Sequence, residues 1–203
     1  MSIIVSFIVC ALFALAAAFG LLQVKRWGRF WPFAYLLVAV ALVLPLSYWL
    51  PIEFLRGYLS DLSVASVMML VMYLFNTIKP NTLAVQNSLR VFVLVMALLL
   101  YPMSLGLTQF DPFAMGFASN GAYLYFLCGL LVVAVLAWFK GYSQIAYLIA
   151  IALLAHGLHL YESNNLWVYL IDPIAVIMCC YGFMIQGIRR LIQRQSTTET
   201  SHA

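Results

Sequence analysis

Apolar residues fill the chain in stretches of about 17 to 23 positions, each closed by a short polar break; that is the length a helix needs to cross a bilayer core of about 30 Å. The pattern predicts seven transmembrane helices, over residues 2–22, 30–50, 62–78, 91–107, 122–139, 144–160 and 166–188. They form one all-α polytopic membrane domain over 1–190, followed by a short polar tail over 191–203 that is expected to be cytoplasmic. No break is long enough for a soluble domain.

The charges sort with these breaks. Of the ten basic residues, all but Arg56 fall on one side: Lys25, Arg26 and Arg29, then Lys79 and Arg90, then Lys140, then Arg189, Arg190 and Arg194. Of the six acidic residues, all but Glu199 fall on the other: Glu53, Asp61, Asp111 and Glu162, with Asp172 in the outer part of the seventh stretch. The positive-inside rule makes the basic side cytoplasmic, so the N-terminus is expected outside and the C-terminus inside. Trp27, Trp31, Trp49, Trp138 and Trp167 all lie near an expected boundary, where indole rings anchor at the headgroup level.

Composition supports the same class. The chain is 66% hydrophobic and 8% charged, whereas a soluble domain carries roughly a quarter charged residues. The net charge of +4 then follows from orientation and does not suggest nucleic-acid binding. The first stretch reads as a retained span, because Lys25 and Arg26 follow it and a signal peptide carries its positive charge ahead of the apolar run. Short loops and compactness place the chain in a membrane of multi-pass proteins, with a bacterial inner membrane as the expected location. Cys10, Cys128, Cys179 and Cys180 all lie at helix depth and form no C-x-x-C pair, so they read as packing residues and not as a redox centre. Met68, Met69 and Met72 read the same way.

Candidate chemistry concentrates at the outer face. His156, His159 and Glu162 are spaced i, i+3, i+6, near one helix face. At 1.5 Å per residue, His156 and Asp172 come out at similar depth, each less than about 10 Å below the outer end of its helix. Ionisable groups at that depth are costly unless paired, so a His156–Asp172 pair locking the sixth helix to the seventh is expected. Asn164 and Asn165 would form the intervening turn, beside Trp167. The alternative is a zinc or iron site on His156, His159 and Asp172. It lacks a third histidine within the membrane region, and no cofactor is the leading expectation. A second constellation is Tyr101, Pro102, Asp111, Pro112, Phe113 and Gly116, where Pro102 is expected to kink its helix and Asp111-Pro112 to open a turn. A third is Glu53, Arg56 and Asp61, an outer ion-pair cluster or a binding point for an anionic group.

Two comparisons are excluded by residues. Small sugar transporters carry paired prolines in matching helices, and Pro45, Pro102 and Pro173 do not match that arrangement. Ceramidase-like hydrolases need three membrane histidines. The leading functional expectation is a non-catalytic subunit of a membrane complex acting at the outer, periplasmic face through Glu53, Arg56, Asp61, Asp111, Asn164, Asn165 and Trp167. Its expected partners are membrane lipids and another membrane protein or a second copy. A small transporter or lipid-handling protein is the first alternative. The second is a metal-dependent or acid–base enzyme at the outer leaflet, using His156, His159, Glu162 and Asp172.

Overall fold

In the computed structural model of the chain, the described residues are 61–79, 83–107 and 109–200, with 11–14 and single positions Ile8, Ala16, Phe30, Phe33, Leu36, Leu37 and Val40 before them. The expected first two spans lie almost wholly outside them, as do Glu53 and Arg56. Every regular element among the described residues is helical: α1 (Val64–Ile78), α2 (Asn87–Pro102), α3 (Tyr123–Phe139), α4 (Ser143–Gly157), α5 (Leu166–Leu170) and α6 (Pro173–Thr200).

Local chemistry sets each boundary. Ser63 caps α1, its hydroxyl accepting the backbone N–H of Ser66. Pro102 closes α2, and the chain rewinds through a π-helical turn, Met103–Leu107, which kinks at Gly106 with φ +82°. The Ser104 hydroxyl donates to the carbonyl of Leu100 at 2.7 Å, within the stretch the proline disturbs. The end of α3 is a Schellman turn: Gly141, at φ +78°, lets Tyr142 N–H reach the Ala137 carbonyl. The same turn closes α4, with His159 at φ +49° in the position glycine normally takes and Leu160 N–H bonded to the Ala155 carbonyl.

Hydrogen bonds at the two ends of the bundle show that its helices alternate in direction. At one end the Gln144 amide, opening α4, holds the segment before α2. Its Nε2 donates to the Ala84 carbonyl and its Oε1 accepts Gln86 N–H, each at 2.8 Å. At the other end the N-terminus of α1 meets that of α6 at Asp172. Gln144→Ala removes both bonds of a buried amide, so an unfolding midpoint measured in detergent should fall by the equivalent of about 2 kcal/mol.

The core lies between these ends. Leu148, Ile149 and Ala152 on α4 are fully buried with Leu89 and Val93 of α2, Ala65 and Met69 of α1, and Ala175 and Cys179 of α6. A second cluster packs Ala16, Leu12 and Phe13 against Leu62, Leu70 and Leu74, with Ile174 and Met178. Helix α3 flanks this core with little of its own surface covered: Leu124, Tyr125, Leu131, Val132, Val135, Leu136 and Phe139 are all exposed.

The described residues correct the expected spans. Two helical stretches are long and apolar enough to cross a membrane, Asn87–Leu107 and Leu166–Gln193; seven such spans are not what the structure supports. Helices α1, α3 and α4 hold 15, 17 and 15 residues, so α1 and α4 rise only about 22 Å at 1.5 Å per residue. An apolar run counts side chains and overlooks the caps and turns that end a helix inside it. The last stretch shows this, because it breaks at Ile171, whose backbone is extended between α5 and α6.

Candidate functional site

Asp172 sits at that break. It precedes Pro173, which disfavours a helical conformation for the residue before it and suits the first helical position after it. Its Oδ1 accepts Ala175 N–H at 2.7 Å, capping α6. The same carboxylate reaches α1, where Oδ2 accepts Ser63 N–H at 2.8 Å and Oδ1 accepts the Ser66 hydroxyl at 2.5 Å. One anion therefore serves two helix N-termini, where backbone donors and the helix dipoles favour negative charge.

This geometry replaces the expected His156–Asp172 pair. His156 lies in the last turn of α4 with its Nε2 3.3 Å from the Asn164 carbonyl, and its ring packs edge-on against Tyr169 with centroids 5.2 Å apart. The chain has left the helix by Leu158 and His159 is itself the left-handed turn residue, yet its ring lies 6.2 Å from that of His156. The two imidazoles therefore lie side by side, although the regular helix that the i, i+3, i+6 spacing assumes ends at Gly157. Among the described residues, no three His, Cys, Asp or Glu groups come together as metal ligands.

Beside His156, the fully buried Tyr169 closes the corner between α4 and α5. Its hydroxyl donates to the Tyr161 carbonyl at 3.2 Å and accepts Tyr161 N–H at 3.1 Å, with the two rings stacked 4.7 Å apart. Burial, helped by the nearby charges of Asp61 and Asp172, pushes the Tyr161 phenol well above its ordinary range. The phenol therefore stays neutral and is unsuited to act as a base.

Asn165 and Trp167 form a second node. The Asn165 Oδ1 caps α5 by accepting Trp167 N–H at 2.9 Å, and its Nδ2 donates to the Phe113 carbonyl at 3.0 Å. The Trp167 indole donates to the Pro112 carbonyl at 2.8 Å and stacks on Phe126. Asp111 opens the turn as expected, its Oδ1 accepting Phe113 N–H at 2.9 Å. Gly116 lies directly under this node, where a Cβ would collide with Asn165 Oδ1 and lie 2.7 Å from Trp167 Cδ1. Asn164 contributes its backbone carbonyl to His156.

The fold thus brings Asp61, Asp111, His156, His159, Glu162, Asn164, Asn165, Trp167 and Asp172 to one end of the bundle. Within that end they separate into an Asp172 junction and an Asn165–Trp167 staple. Sequence reasoning missed Ser63, Ser66 and Tyr169. Ser63 carried a readable signal, a serine just before an apolar helical run. The other two carried none.

The Tyr101 hydroxyl is the one buried side-chain polar atom among the described residues with no hydrogen-bond partner. Removing an unsatisfied buried hydroxyl relieves a desolvation cost, so Tyr101→Phe should match or exceed the native stability by up to about 1 kcal/mol. A clear loss in a detergent unfolding titration would show that the hydroxyl has a bonded partner in solution.

The chain matches no known protein family, no curated protein and no solved structure.

Proposed function

We propose that this is a polytopic membrane protein acting as a non-catalytic subunit, engaging another membrane protein through its apolar helix faces. The observation that carries the reading is where the polar groups point. Asp172, Asn165, Trp167, Tyr169 and His156 all engage the chain's own backbone, at the Asp172 junction, the helix caps and the turns. The helix exteriors, by contrast, expose large apolar side chains on α2, α3 and α6. Contiguous exposed apolar surface fits a lipid or protein environment and is rare on a soluble monomer.

A multi-pass topology, with an outer N-terminus and a cytoplasmic C-terminus, belongs to this proposal, as does a bacterial inner membrane. The two long apolar helices and the separation of charge support it. Asp61, Asp111, Glu162 and Asp172 lie toward one end, and Lys79, Arg90, Lys140, Arg189 and Arg190 toward the other, as the helix ends that carry them require. Helices as short as α1 and α4 would cross where the bilayer thins or neighbouring helices cover their ends.

Purification of the tagged chain in mild detergent tests the role, with a second membrane protein expected at fixed stoichiometry. A chain that purifies alone and monodisperse, from cells carrying its native complement of membrane proteins, would sink it.

A second reading, a small transporter or lipid-handling protein, is favoured by one feature. The break at Ile171–Asp172 makes a discontinuous apolar helix of the kind that lines transporter binding sites. Non-protein density beside Asp172 in an experimental structure would favour it, whereas close-packed side chains throughout would remove it.

A further inference from the structure

We propose that the seam between α2 and α6, at the end opposite Asp172, binds the phosphate of an anionic phospholipid through Arg90. The inference rests on the membrane reading above and names a partner within it.

Arg90 lies in the first turn of α2, half-buried against α6. It is seated at Gly182, where a Cβ would stand 2.8 Å from its Nε and 2.9 Å from its Cζ and would shift the guanidinium from its present position. Its Cζ lies 5.9 Å from the centroid of the Phe183 ring. Its Nη1 donates to Asn87 Oδ1 at 3.0 Å, and the same oxygen accepts Gln186 Nε2 at 2.9 Å. A neutral amide oxygen shared between two donors thus holds the guanidinium in orientation without neutralising it. A guanidinium offers five N–H donors in a planar fork, and its geometry suits a phosphate better than a lone point charge would.

The surroundings are cationic. Arg189 follows Gly182 by seven positions and Gln186 by three, so it continues the same face of α6 one turn further out. The acidic side chains described in the structure, Asp61, Asp111, Glu162 and Asp172, all lie toward the far end. An anion arriving at Arg90 therefore meets two arginines, with the described carboxylates remote.

A lipid, rather than a free anion, is indicated by what flanks the seam. Val91 and Val95, which follow Arg90 on α2, are exposed apolar side chains on its membrane side. They offer acyl chains a surface directly below the phosphate position. Juxtamembrane arginines attract anionic headgroups by this combination of charge and depth.

Full-length protein in nanodiscs of phosphatidylcholine alone, and of phosphatidylcholine mixed with phosphatidylglycerol, tests the assignment. Thermal unfolding of the wild type should shift upward by about 3 °C in the mixed lipid. Arg90→Gln should lose most of that shift. Lys140→Gln, at the same end but on α3, should keep it. No shift in the wild type, its retention in Arg90→Gln, or its equal loss in Lys140→Gln overturns the proposal.

Should Arg90→Gln not fold, mass spectrometry of the wild type released from detergent micelles decides instead. Retained phosphatidylglycerol supports the site, and equal retention of both lipids overturns it. Inorganic phosphate added to the detergent-solubilised protein separates the two sources: if it reproduces the shift, the site takes a free anion and the lipid assignment falls. Alkaline carbonate extraction is run first. Release of the chain from membranes overturns the membrane reading and this proposal with it, whereas a retained chain without lipid dependence overturns this proposal alone.

Discussion

Asp172→Ala should lower the unfolding free energy by about 3 kcal/mol, among the largest losses of any single side chain at this end of the bundle. The carboxylate accepts Ser63 N–H, the Ser66 hydroxyl and Ala175 N–H. Hydrogen bonds to a charged group contribute about 1.5–3 kcal/mol each, and loss of an N-cap about 1, but the three share one acceptor group and do not add fully. Asp172→Asn retains one acceptor oxygen and should lose about half as much. Ser66→Ala should couple to Asp172→Ala, the double variant falling well short of the summed losses. His156→Ala should be additive with it, since His156 bonds to Asn164 and not to Asp172. Strong coupling between positions 156 and 172 in a double-mutant cycle would show that the histidine–aspartate pair forms after all.

Gly116→Ala should destabilise the protein by about 2–3 kcal/mol, the cost of forcing one methyl group into a buried 3-10 turn. The methyl would enter the space held by Asn165 Oδ1 and crowd Trp167. Asn165 cannot swing aside without releasing its cap on α5 and its bond to Phe113, and its side chain is almost fully buried. Asn165→Ala should cost about as much by removing those two bonds. In that background Gly116→Ala should cost less, because the atom it strikes first is gone. The comparison needs only chemical or thermal unfolding of the four variants. An equal cost in both backgrounds would place the strain at Trp167.

The sequence and the structure diverge most where a helix ends. Leucine-rich runs foretold α2, α3 and α4 to within a few residues, because apolar side chains dominate those segments. His159 was read as part of a regular helix because spacing alone treats a helix as continuous. The Schellman turn beginning at Ala155 ends the helix before His159, whose ring still lies 6.2 Å from that of His156. Asp172 was read as lying inside a span, although Asp172-Pro173 carries the chemistry of a helix start. Its partners on α1 could not be read, since Ser63 and Ser66 lie more than 100 positions away. Gly116 was legible as part of an outer turn, but its role depends on Asn165, which folding alone places above it.

What the sequence determined by itself is bulk physical character. The apolar inventory and the sorting of acidic and basic residues follow from composition and order, so an all-helical chain with opposite charge at its two ends was readable. Which polar side chain meets which partner was decided by tertiary structure. A carboxylate is held by the donors that surround it in space, and here those belong to the first turns of two helices distant in sequence. That arrangement makes Asp172 a junction, and it seats Arg90, one basic residue among ten, against Gly182 of α6.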